Sequence, residues 1–258
     1  MNTAKIYDLS YKYLLNLLPK ELMESDLEKY FVGDNCNYSS LEDIFERLIL
    51  SAQNYQGMPN FIKFAERKDN IKKLLYDYNL NWIVNQTPEF LYDLFEKEYK
   101  FTSSKNIKFN SWYKWSCSVI DSAKFVSEFK TIDEFRGFIN QFDYNLAIRT
   151  ALPLLISTKI KGIGFVLACD FLKELGYVNY VKPDIHIIDI CYETGLCDDR
   201  NEIKAFETMV KIADECKITP YKLDKIFWLI CSGNYYIDKI NIKGHKDEFI
   251  KYLKEEIL

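Results

Sequence analysis

The stretch that most constrains this 258-residue chain is Ile160 to Asp189, IKGIGFVLACDFLKELGYVNYVKPDIHIID. It opens with a Gly-x-Gly turn, Gly162-Ile163-Gly164, followed by an apolar run that predicts a helix over Phe165 to Leu175, stopped by Gly176. Two glycines between helices let the backbone turn tightly with positive φ and leave their amides unshielded by side chains. Those amides sit at a helix N-terminus, where anionic groups are favoured, phosphate above all. Further on, Lys182-Pro183-Asp184 precedes a second apolar run, Ile185 to Cys191. Pro183 keeps the chain extended there, so Asp184 is placed to cap the next helix. A phosphate grip followed by a positioned carboxylate is one reading. An ordinary helix–helix turn followed by a plain cap is the other.

The rest of the chain reads as helix, and the fold class is all-α. Ile6 to Met23 has apolar positions at helical spacing, and Gly33 to Tyr38 is a loop. Ser40, with Asp43 three residues on, is a capping box that opens a helix through Ile44, Leu48 and Ile49 to about Ala52. Gly57 and Pro59 break that helix, which leaves Gln53 to Gln56 exposed at its end. Asn60 to Tyr78 is helical in pattern, Thr87-Pro88 starts another helix, and Thr131-x-x-Glu134 is a second capping box. Pro153 precedes the apolar turn that feeds the Gly-x-Gly element. After Gly195, helices are predicted around Ala205–Cys216, Leu223–Cys231 and Lys246–Leu258. Strand-like alternation is scarce, and no repeat is present.

Charge and cysteine content narrow the function classes. A net charge of −4 gives no global attraction to phosphates. Locally, Lys97 to Lys130 holds seven lysines against three acids, together with Trp112, Tyr113 and Trp115. Basic residues interleaved with aromatics suit strand binding and base stacking, and equally a solvated lysine face over buried tryptophans. No apolar run reaches a membrane span and the N-terminus lacks the features of a secretory signal, so a cytoplasmic location is expected, with no membrane partner. The seven cysteines are scattered, with no Cys-x2-Cys pair. They are expected to be reduced core residues, and no metal, iron–sulfur cluster or other cofactor is expected.

The Ile160–Asp189 stretch resembles the helix-hairpin-helix and Gly/Pro-Asp motif of the helix-hairpin-helix superfamily of DNA glycosylases, the group of endonuclease III and the 8-oxoguanine glycosylases. The hairpin stands here as Ile160-Lys161-Gly162-Ile163-Gly164, and Asp184 follows Gly164 by twenty positions in Pro183-Asp184-Ile185-His186. Upstream, Leu48-Ile49-Leu50-Ser51-Ala52-Gln53 is similar to the segment near the start of the glycosylase core. The resemblance covers roughly Leu41 to Leu196. It implies two helical lobes with a DNA-binding cleft: residues 41–160 as the central lobe, and 1–40 with 161–258 as the second.

The resemblance also implies roles. Asp184 would be the catalytic carboxylate, stabilising positive charge on a sugar as a base leaves and activating water. Gly162, Ile163 and Gly164 would hold a DNA phosphate through backbone amides, with Lys161 and Lys182 as further phosphate contacts. Bifunctional members carry a lysine two residues after the second glycine, but here that position is Val166. Water attack is therefore expected, with Lys161 or Lys182 as substitute amines in the alternative of a glycosylase/lyase. Gln53 would fill the gap left by an extruded base, helped by Asn54, Tyr55 and Gln56, or would simply end a helix. Phe227 and Trp228 are either base-pocket rings or core. His186 would be a structural hydrogen-bonding residue. The partner implied is double-stranded DNA with a damaged or modified base, bound by a monomer. A non-catalytic DNA-binding or damage-sensing protein is the remaining alternative.

Overall fold

The computed structural model describes residues 3–33, 38–55, 57–101 and 110–257. The loop expected at Gly33 to Tyr38 falls largely outside them, as do Gln56 and two lysines of the basic stretch, Lys105 and Lys108. Among the described residues the chain is helical, apart from one two-stranded hairpin. In order come α1 (Thr3–Asn16), α2 (Glu28–Phe31), α3 (Leu41–Gln53), α4 (Pro59–Ile62) and α5 (Phe64–Leu74). Then follow α6 (Leu80–Ile83), α7 (Pro88–Tyr99), α8 (Ser111–Val126), α9 (Ile132–Asp143) and α10 (Ala151–Lys159). The chain closes with α11 (Phe165–Glu174), α12 (Ile185–Glu193), α13 (Glu202–Glu215), α14 (Pro220–Ser232), the strands β1 (Asn234–Tyr235) and β2 (Ile240–Asn241), and α15 (Lys246–Ile257). No helix among the described residues is long and apolar enough to cross a membrane.

The chain divides into two units, Cys36–Phe171 and the pair of segments Met1–Asn35 with Leu172–Leu258. The first is built on α8, which packs against α3, α4, α6 and α7. A helix apolar on nearly every face belongs in the middle of a bundle. Trp112 and Trp115 lie in that core, and the Trp115 indole N–H donates to the Ile49 carbonyl at 2.9 Å. These two tryptophans are therefore core, not a stacking surface. The second unit is built on α14, which packs against α1, α2, α12, α13 and α15. The strands that follow α14 are antiparallel, with Asn234 opposite Asn241 and Tyr235 opposite Ile240.

Local signals explain most boundaries. Ser40 Oγ accepts from the Asp43 N–H while Asp43 reaches back to the Ser40 N–H, completing the expected box. Thr131 also caps α9, but Glu134 reaches one residue further back, to the Lys130 N–H at 2.7 Å. α11 ends in a Schellman arrangement on Gly176, with the Tyr177 N–H donating to the Leu172 carbonyl. Two expected helices come out shorter. The first ends at Asn16, because Pro19 disfavours helical geometry in the residue before it. The one expected over Asn60 to Tyr78 is broken at Lys63, which is left-handed with φ +52°, and ends at Leu74.

Candidate functional site

In the Cys36–Phe171 unit, the Gly-x-Gly turn is fastened to α8 through one residue. The Lys161 carbonyl accepts from Ser118 Oγ at 2.6 Å, and the Lys161 N–H donates to Asp121 Oδ2 at 3.1 Å. Ile160 and Ile163 are buried on either side and the Ile163 N–H donates to the Ile160 carbonyl, so the turn is anchored by side chains as well as backbone. Only one of the two glycines takes positive φ. Gly162 stands at φ +89°, and a Cβ there would lie 2.7 Å from Ser118 Oγ. Gly164 is not left-handed; it is exposed, and a Cβ there would meet nothing within 4 Å. The two glycines thus do different work: Gly162 makes the turn, and Gly164 leaves the backbone at the start of α11 open to approach. The first internal bond of α11 is from the Ala168 N–H to the Gly164 carbonyl, so the amides of its first turn precede any intrahelical acceptor.

The end of α3 differs from expectation. Gln53 is only 6% exposed, and its side-chain oxygen accepts from the buried Phe64 N–H at 3.1 Å. The left-handed break at Lys63 turns that N–H out of the helical ladder, and Gln53 satisfies it. Gln53 is therefore a structural residue, and Asn54 is the exposed side chain at this end. Tyr55 follows, half-buried, with Lys114 Nζ 4.0 Å from its ring centroid. Lys114 also borders the hairpin, since its Cγ lies 3.6 Å from where a Gly162 Cβ would be. Exposed Lys161, half-buried Lys114 and Tyr55, and open Gly164 thus belong to one unit. Sequence reasoning placed Lys114 in a basic stretch without linking it to the hairpin.

In the other unit, Asp184 caps α12. Its backbone is extended, and Oδ1 accepts from the His186 N–H at 2.9 Å and from the Ile187 N–H at 3.4 Å. Among the described residues no donor is bonded to Oδ2. The Asp184 N–H donates to the Lys182 carbonyl at 2.7 Å, which fixes the turn at Pro183. Asp184 acts on two groups of α14. Burial pushes the Cys231 thiol up to about 12, and the nearby Asp184 charge adds to the rise. Burial likewise raises the Asp224 carboxyl against the pull of Lys173, and Asp184 again adds to it.

The remaining candidates separate. Phe227 is fully buried and packs edge-on against Phe249 at 5.6 Å, so it is core and not a pocket ring. Trp228 is partly exposed and meets Tyr236 edge-on at 5.7 Å. Lys225 completes this cluster, with Nζ 5.6 Å from the Trp228 ring and 5.1 Å from that of Tyr236. His186, expected as a structural hydrogen-bonding residue, has its Nδ1 buried without a hydrogen-bond partner among the described residues. Val166, half-buried in the first turn of α11, carries no amine where the resemblance would place one.

No family model matches the chain, and no curated protein matches it significantly. Among solved structures it is similar to the 8-oxoguanine DNA glycosylase of Methanocaldococcus jannaschii, at 19% identity and a TM-score of 0.52 over 89% of this chain and 96% of that one. A second structure of an 8-oxoguanine glycosylase/lyase from the same organism, in complex with a 15mer DNA containing 8-oxoguanine, matches at 20% identity and a TM-score of 0.49, over 85% and 94% of the two chains. The first likeness shows that this chain shares the all-helical fold of that structure.

Proposed function

We propose that this protein is a DNA N-glycosylase that extrudes a damaged or modified base from double-stranded DNA and hydrolyses its bond to deoxyribose. The observation that carries the reading is the pairing, in a chain with this fold, of a fastened Gly162–Gly164 hairpin with a capped Asp184 twenty residues on. The amides at Gly164 and the first turn of α11 suit a phosphate oxygen, with Lys161 and Lys114 adding positive charge. Such contacts orient a duplex without reading its sequence. Asn54 and Tyr55 take over the gap-filling role considered for Gln53, because they are the residues accessible at the end of α3.

Asp184 supplies the chemistry. As the bond from sugar to base breaks, its electron pair leaves with the base and positive charge grows on the sugar. A carboxylate with one oxygen fixed by two N–H groups offers the other to that charge. Water then adds its hydroxyl at the sugar carbon, and its proton passes to Asp184. Valine at position 166 favours water over an amine as the nucleophile. Lys161 and Lys182 are the amines to examine if strand cleavage accompanies base release.

The test is a panel of labelled duplexes, each with one defined lesion and 8-oxoguanine among them, scored with and without alkali. Nicking after alkali alone is the expected result and identifies the base. Nicking without alkali means a glycosylase/lyase. Binding with no cleavage of any duplex overturns the enzymatic reading in favour of a damage-sensing protein.

A further inference from the structure

Beyond α12 the chain folds back on itself and brings two cysteines together. Thr194 closes the helix, with its hydroxyl donating to the Ile190 carbonyl at 2.6 Å, and Gly195 at φ +71° reverses the direction. The Cys197 N–H then donates to the Cys191 carbonyl at 2.9 Å. That bond draws the two residues together, and their side chains lie close enough for the two thiols to hydrogen-bond each other, the contact from which a disulfide closes. Both thiols are free, Cys191 fully buried and Cys197 at 8% exposure. On the far side Cys197 Sγ lies 3.2 Å from the Thr208 hydroxyl of α13.

We infer that Cys191 and Cys197 form a reversible oxidation site, in which a peroxide oxidises Cys197 and Cys191 resolves it to an intramolecular disulfide. The surroundings favour this order of events. Cys197 leads into a surface turn, where Gly195, Asp198 and Asp199 are exposed, whereas Cys191 lies inside the unit. The Cys191 thiol and the Thr208 hydroxyl both stabilise a thiolate at Cys197, and outweigh burial and the Asp199 charge to bring that thiol down to about 6. Lys204 adds a smaller pull in the same direction. Cys191 moves the opposite way, held protonated by Cys197 and by burial. One sulfur is thus the nucleophile and the other the proton-bearing resolver.

The electrons balance in two steps. The Cys197 thiolate attacks one peroxide oxygen, the O–O bond breaks, and water or an alcohol leaves after taking up a proton. Cys197 is then a sulfenic acid. The Cys191 sulfur displaces its hydroxyl, which departs as water with the Cys191 proton, and the S–S bond forms. Two electrons have passed to the peroxide, and a cellular dithiol returns them.

The experiment treats the folded full chain with limiting hydrogen peroxide, alkylates the remaining thiols and weighs the single tryptic peptide that holds both cysteines. The expected peptide carries no alkyl group and is about 2 Da lighter than the unalkylated dithiol peptide, whereas after dithiothreitol it takes up two alkyl groups. Cys191→Ser should leave a Cys197 sulfenic acid that dimedone traps, and Cys197→Ser should leave Cys191 alkylatable. Between pH 7 and 8.5 the oxidation rate should change less than threefold, where an ordinary thiol would gain roughly tenfold or more. The inference is overturned if Cys197 runs on to sulfinic acid while Cys191 stays alkylatable, or if both are fully alkylated after other cysteines have oxidised. The wild-type peptide mass decides alone should a serine variant fail to fold. None of these outcomes depends on the glycosylase reading.

Discussion

Lys173 Nζ donates to Asp224 Oδ2 at 2.7 Å, and the two side chains are only 7% and 4% exposed. Removing two charges from water is costly even when they pair, and burial accordingly pushes the Asp224 carboxyl up against the pull of Lys173. A carboxyl raised in the folded state favours folding below its unfolded value of about 3.9, and loses that advantage as pH rises through the folded one. Lys173→Met should therefore destabilise the protein by about 3–5 kcal/mol at pH 7. The loss should shrink at lower pH, as Asp224 takes a proton. Lys173→Met with Asp224→Leu should be neutral, or more stable by about 1–4 kcal/mol. Urea unfolding at pH 5 and 7 measures both, and equal damage in the single and double variants would contradict this account.

The two hairpin glycines should respond oppositely. Gly162→Ala forces a side chain into a left-handed backbone and towards Ser118 Oγ, a cost of about 1–3 kcal/mol. Gly164→Ala meets no atom of the protein and should change stability by less than about 0.5 kcal/mol. If a phosphate approaches the backbone there, Gly164→Ala nevertheless weakens DNA binding, whereas Lys161→Ala should flatten its salt dependence. Thermal melts alongside binding at two salt concentrations separate the two effects.

Gln53 should be a stability residue. Gln53→Leu leaves the Phe64 N–H buried without an acceptor, which costs about 1–3 kcal/mol. DNA affinity should be unchanged in that variant and reduced in Asn54→Ala. A binding loss in Gln53→Leu exceeding its fraction unfolded would restore the gap-filling role to Gln53.

What the sequence disclosed follows from where the causes lie. Caps and turns are local, so Ser40 with Asp43, Thr87 before Pro88 and Asp184 after Pro183 could all be read from neighbouring residues. The helical class followed from periodicity. The fate of Gln53 could not be read, because it depends on a left-handed Lys63 ten residues on, and lysine carries no signal for that geometry. The same holds for Phe227 and Trp228, adjacent on α14 and both large aromatics. Only the packing of α15 against α14 decides that Phe227 faces inward. The link from Lys114 to the hairpin is also tertiary, passing through Ser118 one turn further along α8.

Asp184→Asn separates capping from chemistry. Asparagine caps a helix about as well as aspartate, since its side-chain oxygen can accept the same His186 and Ile187 N–H groups. Stability should therefore shift by only a few tenths of a kcal/mol. Charge is what the substitution removes. A neutral amide neither stabilises a positive sugar nor accepts a proton from water, and the rate of base release should fall by roughly 10²–10³. DNA affinity should hold, because the phosphate contacts proposed above are made by hairpin residues and not by Asp184. Single-turnover cleavage of the preferred lesion, with melting and binding measured on the same preparation, reads all three quantities. A variant that melts normally, binds normally and cleaves at the wild-type rate would return Asp184 to a purely structural cap.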